Sequence, residues 1–292
     1  MSPHAVQYRS GTSSHSRLFL HQWTSAGWSP TEGETVVFLH GMGAYSGANA
    51  IELAQRVCEA GRVRLLAPDL PGYGRTPAAA VESFDPAATA QLVAEFLGGA
   101  SGDTATHVVG HSRGADIAAF LAVDSPARVA SLVLLDGGIA EWERVPTEVV
   151  RADAANFDER CRYRSMKDYF ASLRGQFRRW SPELEWAFER AAEVSDGSVR
   201  LVQRPEVYAG IRQAGISRQV SSVWTELPRA LHLAGAESPL LPPPAEAGQV
   251  QCETVRRSGH FLLEDAPDYV AARLRRWWSD ELARLAIRAA TP

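Results

Sequence analysis

Thr106-His107-Val108-Val109-Gly110-His111-Ser112-Arg113-Gly114, running into Ala115-Asp116-Ile117-Ala118-Ala119-Phe120-Leu121, decides how the rest of this chain is read. A largely apolar run leads into a G-x-S-x-G, and the residues after it have helical character. Between a strand and a helix, that pattern forces the serine onto a tight, strained turn. Its hydroxyl then projects from the sheet edge above a helix N-terminus. A Cβ at either flanking glycine would crowd the neighbouring strand and helix. Ser112 is therefore the candidate nucleophile. Short strings of this kind also arise by chance, so the surrounding chain has to supply the context.

Outward from this unit the chain alternates. Thr35-Val36-Val37-Phe38-Leu39 is a continuous apolar run, as expected of a strand covered on both faces. Ile51, Ala54 and Val57 line one face of a helix that closes at Gly61. Val63 to Ala67 gives a second strand, and Asp85 caps a helix that turns Ala88, Leu92, Val93 and Phe96 inward. Downstream, Val129 to Leu135 is a further buried strand; upstream, Arg17 to Trp23 is an early strand in an otherwise mixed opening. Such alternation reads as a parallel sheet with right-handed crossovers, which binds ligands outside the carboxyl ends of its strands. His40-Gly41, Asp69, Ser112 and Asp136 all fall there.

From Ile139 to Pro228 the alternation stops. This stretch is rich in charge and aromatics, among them Trp142, Tyr169, Phe177, Trp180, Phe188 and Trp224. It reads as helical throughout, with Ser181-Pro182-Glu183 as a capped helix start. The sheet pattern resumes at Ala230 to Ala234 and Val250 to Val255, and a long helix from Pro267 closes the chain. The expected organisation is a core of residues 1–138 and 229–292, with residues 139–228 inserted over the strand ends.

Composition narrows the class. The 292 residues carry a formal net charge of −4, which argues against nucleic acid as a partner. No run approaches the ~18 apolar residues of a membrane span, and the opening Met1 to Tyr8 lacks a signal-peptide core, so a cytoplasmic location is expected. Cys58, Cys161 and Cys252 are widely spaced and odd in number, which suits reduced thiols and neither a disulfide framework nor a zinc site. His107 and His111, four apart on a strand, are too distant to share a metal. Lys167 is the only lysine and follows no Gly-rich loop, which removes Schiff-base and P-loop chemistry. Gly41-x-Gly43 resembles a dinucleotide turn, but Ser46 breaks the fingerprint at its sixth position. No metal and no cofactor are expected, and the expected partner is a small-molecule substrate; oligomeric state is not legible.

A serine hydroxyl near neutral pH needs a base within hydrogen-bond reach. His260, in Ser258-Gly259-His260-Phe261 between the last strand and the closing helix, is the candidate. His111, next to the serine in sequence, points away from it at such a turn and reads as a packing residue. The base in turn needs an orienting acid, for which Asp136 is the candidate and Glu237 the alternative. Asp136 ends the strand after the serine unit, in Leu135-Asp136-Gly137-Gly138; Glu237 follows the next strand, in Gly235-Ala236-Glu237-Ser238. Either is otherwise a loop carboxylate bonded to backbone amides. An acyl-transfer site also needs two backbone N–H groups aimed at the oxyanion, each worth about 2.7–4 kcal/mol. The amides of Met42 and Arg113 are the candidates. The Arg113 side chain is expected to lie away from the site.

Taken together, Phe38-Leu39-His40-Gly41-Met42-Gly43, Asp69 to Thr76, Gly110 to Gly114, Asp136-Gly137-Gly138 and Gly259-His260-Phe261 make the chain resemble an α/β-hydrolase over nearly its whole length. The resemblance implies an eight-stranded, mostly parallel doubly wound sheet, a helical cap inserted after strand six, and no cofactor. One departure stands out. Most members place the acid after strand seven as G-x-x-D, where this chain has Ser238. A branch that includes haloalkane dehalogenases takes it from the end of strand six, where Asp136 lies. Dehalogenases and epoxide hydrolases of this fold use an aspartate nucleophile, and Ser112 argues against both chemistries.

The leading expectation is a serine hydrolase acting on an ester, lactone or thioester through an acyl-enzyme. The same triad could instead serve carbon–carbon cleavage or lyase chemistry, and the fold could serve a low-turnover ligand-binding protein. Trp142, Trp180 and Phe261 are the expected substrate-binding side chains, and the aromatic insert implies a fairly apolar group.

Overall fold

A computed structural model describes residues 6–14, 16–42, 46–100, 106–138, 146–195, 197–201, 203–217, 220–239 and 249–290. In the core, β1 (Gln7–Thr12), β2 (Phe19–Thr24), β3 (Glu34–Leu39), α1 (Ile51–Ala60), β4 (Val63–Pro68), α2 (Pro86–Ala100), β5 (Thr106–His111), α3 (Arg113–Asp124) and β6 (Val129–Leu135) follow one another. The stretch after β6 holds α4 (Thr147–Ala155), α5 (Phe157–Arg160), β7 (Arg162–Tyr163), α6 (Met166–Arg174), α7 (Pro182–Arg190), β8 (Ala192–Ser195), β9 (Ser198–Leu201) and α8 (Pro205–Ser217). The core resumes with β10 (Ala230–Gly235), β11 (Val250–Val255), α9 (Leu262–Asp265) and α10 (Pro267–Ala290).

Eight strands form one sheet in the order β1-β2-β4-β3-β5-β6-β10-β11. The pairs β1–β2 and β2–β4 are antiparallel and the remaining five are parallel. The apolar runs explain the burial: neighbours along each central strand feed opposite faces. Val37, Leu39, Val108, Leu132 and Leu134 pack under α2 and α3. Val36, Phe38, Val109, Val133 and Leu135 pack under α1 and α10, where Trp277 and Trp278 are both buried. Helices on both faces bring the carboxyl ends of β3, β5, β6 and β10 together at one rim.

The expectation of an all-helical insert is corrected. Beside its helices it holds a three-stranded antiparallel sheet, β7-β9-β8. The signal was present as Asp196-Gly197 between Glu193-Val194-Ser195 and Ser198-Val199-Arg200, the dipeptide of a two-residue hairpin. Gly197 has φ +72°, and Ser195 pairs with Ser198. The insert has its own apolar cluster of Phe157, Tyr169, Leu173, Phe177, Leu184, Phe188, Val199, Leu201 and Tyr208. A buried carboxylate fastens it to the core. Glu52 on α1, 2% exposed, accepts from Ser181 Oγ at 2.6 Å and from Arg179 at 3.0 Å. Among the described residues no helix is long and apolar enough to cross a membrane.

Candidate active site

Ser112 stands between β5 and α3 with φ +53° and ψ −123°, a backbone state that costs a non-glycine residue on the order of 1–3 kcal/mol. Close packing enforces it. A Cβ on Gly110 would strike the Gly114 carbonyl, and one on Gly114 would strike the Leu39 carbonyl. The Ser112 N–H donates to the Leu135 carbonyl at 2.9 Å, tying the turn to the end of β6.

Two other strand ends converge on this serine. Asp136, directly after β6, is 2% exposed and also carries a positive φ of 43°. His260, in the loop between β11 and α9, lies between them. Its Nε2 is 3.0 Å from Ser112 Oγ, and its Nδ1 is 2.6 Å from Asp136 Oδ2. An ionised carboxylate only accepts, so Nδ1 carries the proton. The Nε2 lone pair therefore faces the serine hydroxyl. Burial pushes the Asp136 pKa up, but hydrogen bonds from His260, Ser238 and the Gly235 N–H outweigh it and hold the carboxyl below its ordinary value.

Glu237, the competing acid, is placed elsewhere. It forms an ion pair with Arg178, both side chains about half exposed. The next residue was missed: Ser238 Oγ donates to Asp136 Oδ2 at 2.5 Å. Spacing along a chain gives no sign of such a contact, although Ser238 occupies the fourth position of the G-x-x-D window.

The loop after β3 lies on the other side of the serine. A Cβ on Gly41 would sit 3.0 Å from Ser112 Cβ, so glycine is what lets this loop approach. His40 pins it: its Nδ1–H donates to the Gly41 carbonyl at 2.8 Å, and its Nε2 accepts from the Leu70 N–H at 2.9 Å. Burial pushes the His40 pKa down to about 4, which keeps both roles intact near neutrality. Met42 is half-buried and touches both the core and the insert clusters. Arg113 opens α3, where backbone N–H groups lack intrahelical acceptors. Its guanidinium turns away from the serine and donates to the Phe84 carbonyl at 2.8 Å.

Of the expected substrate-binding residues, Phe261 lies beside the site, its ring 5.3 Å from that of His260 and 4.8 Å from that of Phe177 in the insert. Trp180, half-buried, stacks on Phe188 inside the insert and donates from Nε1 to Glu185 at 2.9 Å. Trp142 lies outside the described residues. His111 is fully buried, and its Nε2–H donates to the His260 carbonyl at 2.8 Å, a bond that reading it as packing alone did not foresee. No group of three or more potential metal ligands gathers among the described residues.

A mostly parallel eight-stranded sheet with a serine elbow at its carboxyl rim defines a class of α/β protein. A model of the alpha/beta hydrolase family matches residues 36–273, and the chain belongs to that family. It is 43% identical over 97 residues to lipase LipV of Mycobacterium tuberculosis, covering 33% of this chain and 36% of that protein. It is 41% identical over 103 residues to the dihydrolipoyllysine-residue acetyltransferase component of the acetoin cleaving system of Cupriavidus necator, covering 35% of this chain and 26% of that one. The chain spans between 26% and 39% of the length of the curated relatives it matches. The peroxisomal α/β-hydrolase Lpx1 of Saccharomyces cerevisiae superposes with a TM-score of 0.74 at 17% identity, over 97% of this chain and 91% of that one. At that identity the likeness is one of fold.

Proposed function

We propose that this protein is a cofactor-independent serine hydrolase that opens an ester, lactone or thioester of a fairly apolar small molecule through an acyl-enzyme. Ser112 is the nucleophile, His260 the general base and acid, and Asp136 the group that fixes the tautomer of His260. As Oγ attacks the acyl carbon, the serine proton passes to His260 Nε2, and the imidazolium is balanced by Asp136. The amides of Met42 and Arg113 receive the oxyanion. Collapse expels the alcohol or thiol, which takes the proton from His260. Water then attacks the acyl-enzyme with His260 again as base, releasing the acid and restoring Ser112.

In this reading residues 139–228 form a cap over the rim, and Phe261, Met42 and Phe177 give the mouth its apolar character. The supporting observation is the continuous hydrogen-bond chain from Ser112 Oγ through His260 to Asp136, at 3.0 and 2.6 Å. A fluorophosphonate probe tests it. Labelling is expected on Ser112 and absent in Ser112→Ala, with turnover of a panel of p-nitrophenyl acyl esters. A folded wild-type protein that takes up no label and hydrolyses no ester overturns it.

A further inference from the structure

Beside the proposed triad, one buried side chain joins the nucleophile's turn to the base's loop. We infer that His111 is a positioning residue for the base, its Nε2–H locking the His260 carbonyl, and with it the imidazole, against the turn that carries Ser112. The inference rests on the triad reading above and adds a residue to it.

The geometry is specific. His111 precedes Ser112 directly, so its backbone moves with the elbow, and its own side chain is 3% exposed. A carbonyl oxygen only accepts, which fixes the neutral Nε2–H tautomer in His111. The two rings lie 4.8 Å apart, centroid to centroid, at 40°. The His260 loop has further backbone anchors, but they come from its own side of the site. The Gly259 N–H donates to Asp265 at 2.8 Å, and the Glu237 N–H donates to the Ser258 carbonyl at 3.0 Å. Both of those place the loop relative to β10 and α9. The His111 bond places it relative to the serine.

The choice of imidazole matters because the ring sits close to the base and its carboxylate. His260, Asp136 and His40 all act on the ring electrostatically. Burial is the largest influence and pushes the His111 pKa down to about 3, with the nearby His260 adding to it. The group therefore remains an uncharged donor near neutral pH. A permanent cation in the same place would oppose the imidazolium that forms on His260 during attack. An apolar side chain of equal size would fill the space and leave the carbonyl without this donor.

The experiment compares His111→Gln, whose Nε2–H stands at nearly the same reach, with His111→Phe, which packs but cannot donate. Each variant is followed by fluorophosphonate labelling rate against pH and by the far-downfield proton resonance of a histidine Nδ1–H held by a carboxylate. The phenylalanine variant is expected to label about 10- to 100-fold more slowly, the range seen when a group that orients a functional side chain is removed. Its labelling profile shifts along pH, and the resonance broadens. The glutamine variant is expected within about threefold of wild type. Should the phenylalanine variant fail to fold, His111→Asn, which has the amide but not the reach, replaces it with the same expectation. Equal losses in the donor and non-donor variants reduce His111 to packing and overturn the inference. So does a folded non-donor variant with wild-type rate and profile. A wild-type protein that does not label at all instead removes the triad reading itself.

Discussion

Ser238 Oγ donates to Asp136 Oδ2 at 2.5 Å, on the same carboxylate oxygen that holds His260 Nδ1 at 2.6 Å. In chain order, Ser238 stands where the family's G-x-x-D pattern keeps its acid. In this chain that position holds a hydroxyl donor to the carboxylate at the end of β6. The other oxygen of Asp136 accepts the Gly235 N–H at 3.1 Å, so both ends of the carboxylate are held.

The first prediction exploits that proximity. Asp136→Asn keeps the shape but favours the wrong histidine tautomer, and esterase kcat should fall by about four orders of magnitude. Adding Ser238→Asp to that variant returns a carboxylate to within reach of His260, and about 10- to 100-fold of the loss should come back. Ser238→Asp alone sets two carboxylates side by side, raises the pKa of one and lowers activity. Steady-state kinetics on one ester decide it; a double variant no better than Asp136→Asn counts against the exchange.

Backbone strain at Ser112 leads to a second prediction. With φ at +53° a side chain is held in a region that glycine occupies freely. Ser112→Ala removes the hydroxyl and keeps the strain, whereas Ser112→Gly relieves it. Against a release on the order of 1–3 kcal/mol stands the extra freedom of glycine in the unfolded chain, about 0.4–1 kcal/mol. Both variants should be inactive, and the glycine variant should be more stable than the alanine one by about 1 kcal/mol in urea titration.

How much of this was legible follows from where the information lies. The central strands were visible because burial on both faces demands unbroken apolar runs such as Val36 to Leu39 and Leu132 to Leu135. The elbow was visible because Gly110 and Gly114 leave no room for any other residue. β1 was not visible: all six of its residues are exposed, so its sequence carries no apolar alternation. The small sheet of the insert is built from strands of two to four residues, too short for a period to show. For the candidate site, Ser112 and His260, which the structure brings to 3.0 Å, could be singled out from the company they keep along the chain. Asp136 could be preferred to Glu237 only from its place at a strand end, because the contact that separates them, His260 Nδ1 to Asp136, spans 124 residues of sequence.

Glu264 supplies a third prediction, this time in pH. The side chain is 2% exposed, and burial pushes its pKa up from 4.5 to about 8, with Asp265 and Glu52 adding to the rise. A carboxyl whose folded pKa lies above its unfolded one contributes its stability below pH 4.5. That contribution is lost as pH climbs towards 8. Glu264→Gln removes the ionisation. It should be more stable than wild type by about 1–3 kcal/mol at pH 7.5, with the difference vanishing below pH 4.5. Urea midpoints at the two pH values measure it. An equal effect at both would assign the change to packing.

Four buried imidazoles act in the opposite direction. Burial pushes His40, His107 and His232 down to about 4 and His111 to about 3. Unfolding frees them to protonate near pH 6.5. With folded pKa values below unfolded ones, they cost nothing above pH 6.5. Stability then drains away as pH falls towards 4, by up to about 1.4 kcal/mol per pH unit for each proton. Glu264 offsets one of the four protons across much of the same window, so a net uptake of up to about three is expected on unfolding. His107 suits the test, being placed outside the proposed triad, with its Nδ1 2.8 Å from Ser131 Oγ and its ring stacked 5.2 Å from Trp278. In His107→Gln the fall in urea midpoint between pH 6.5 and 4.5 should be shallower than in wild type by about one proton. A slope unchanged by that replacement would mean that His107 is already protonated in the folded protein.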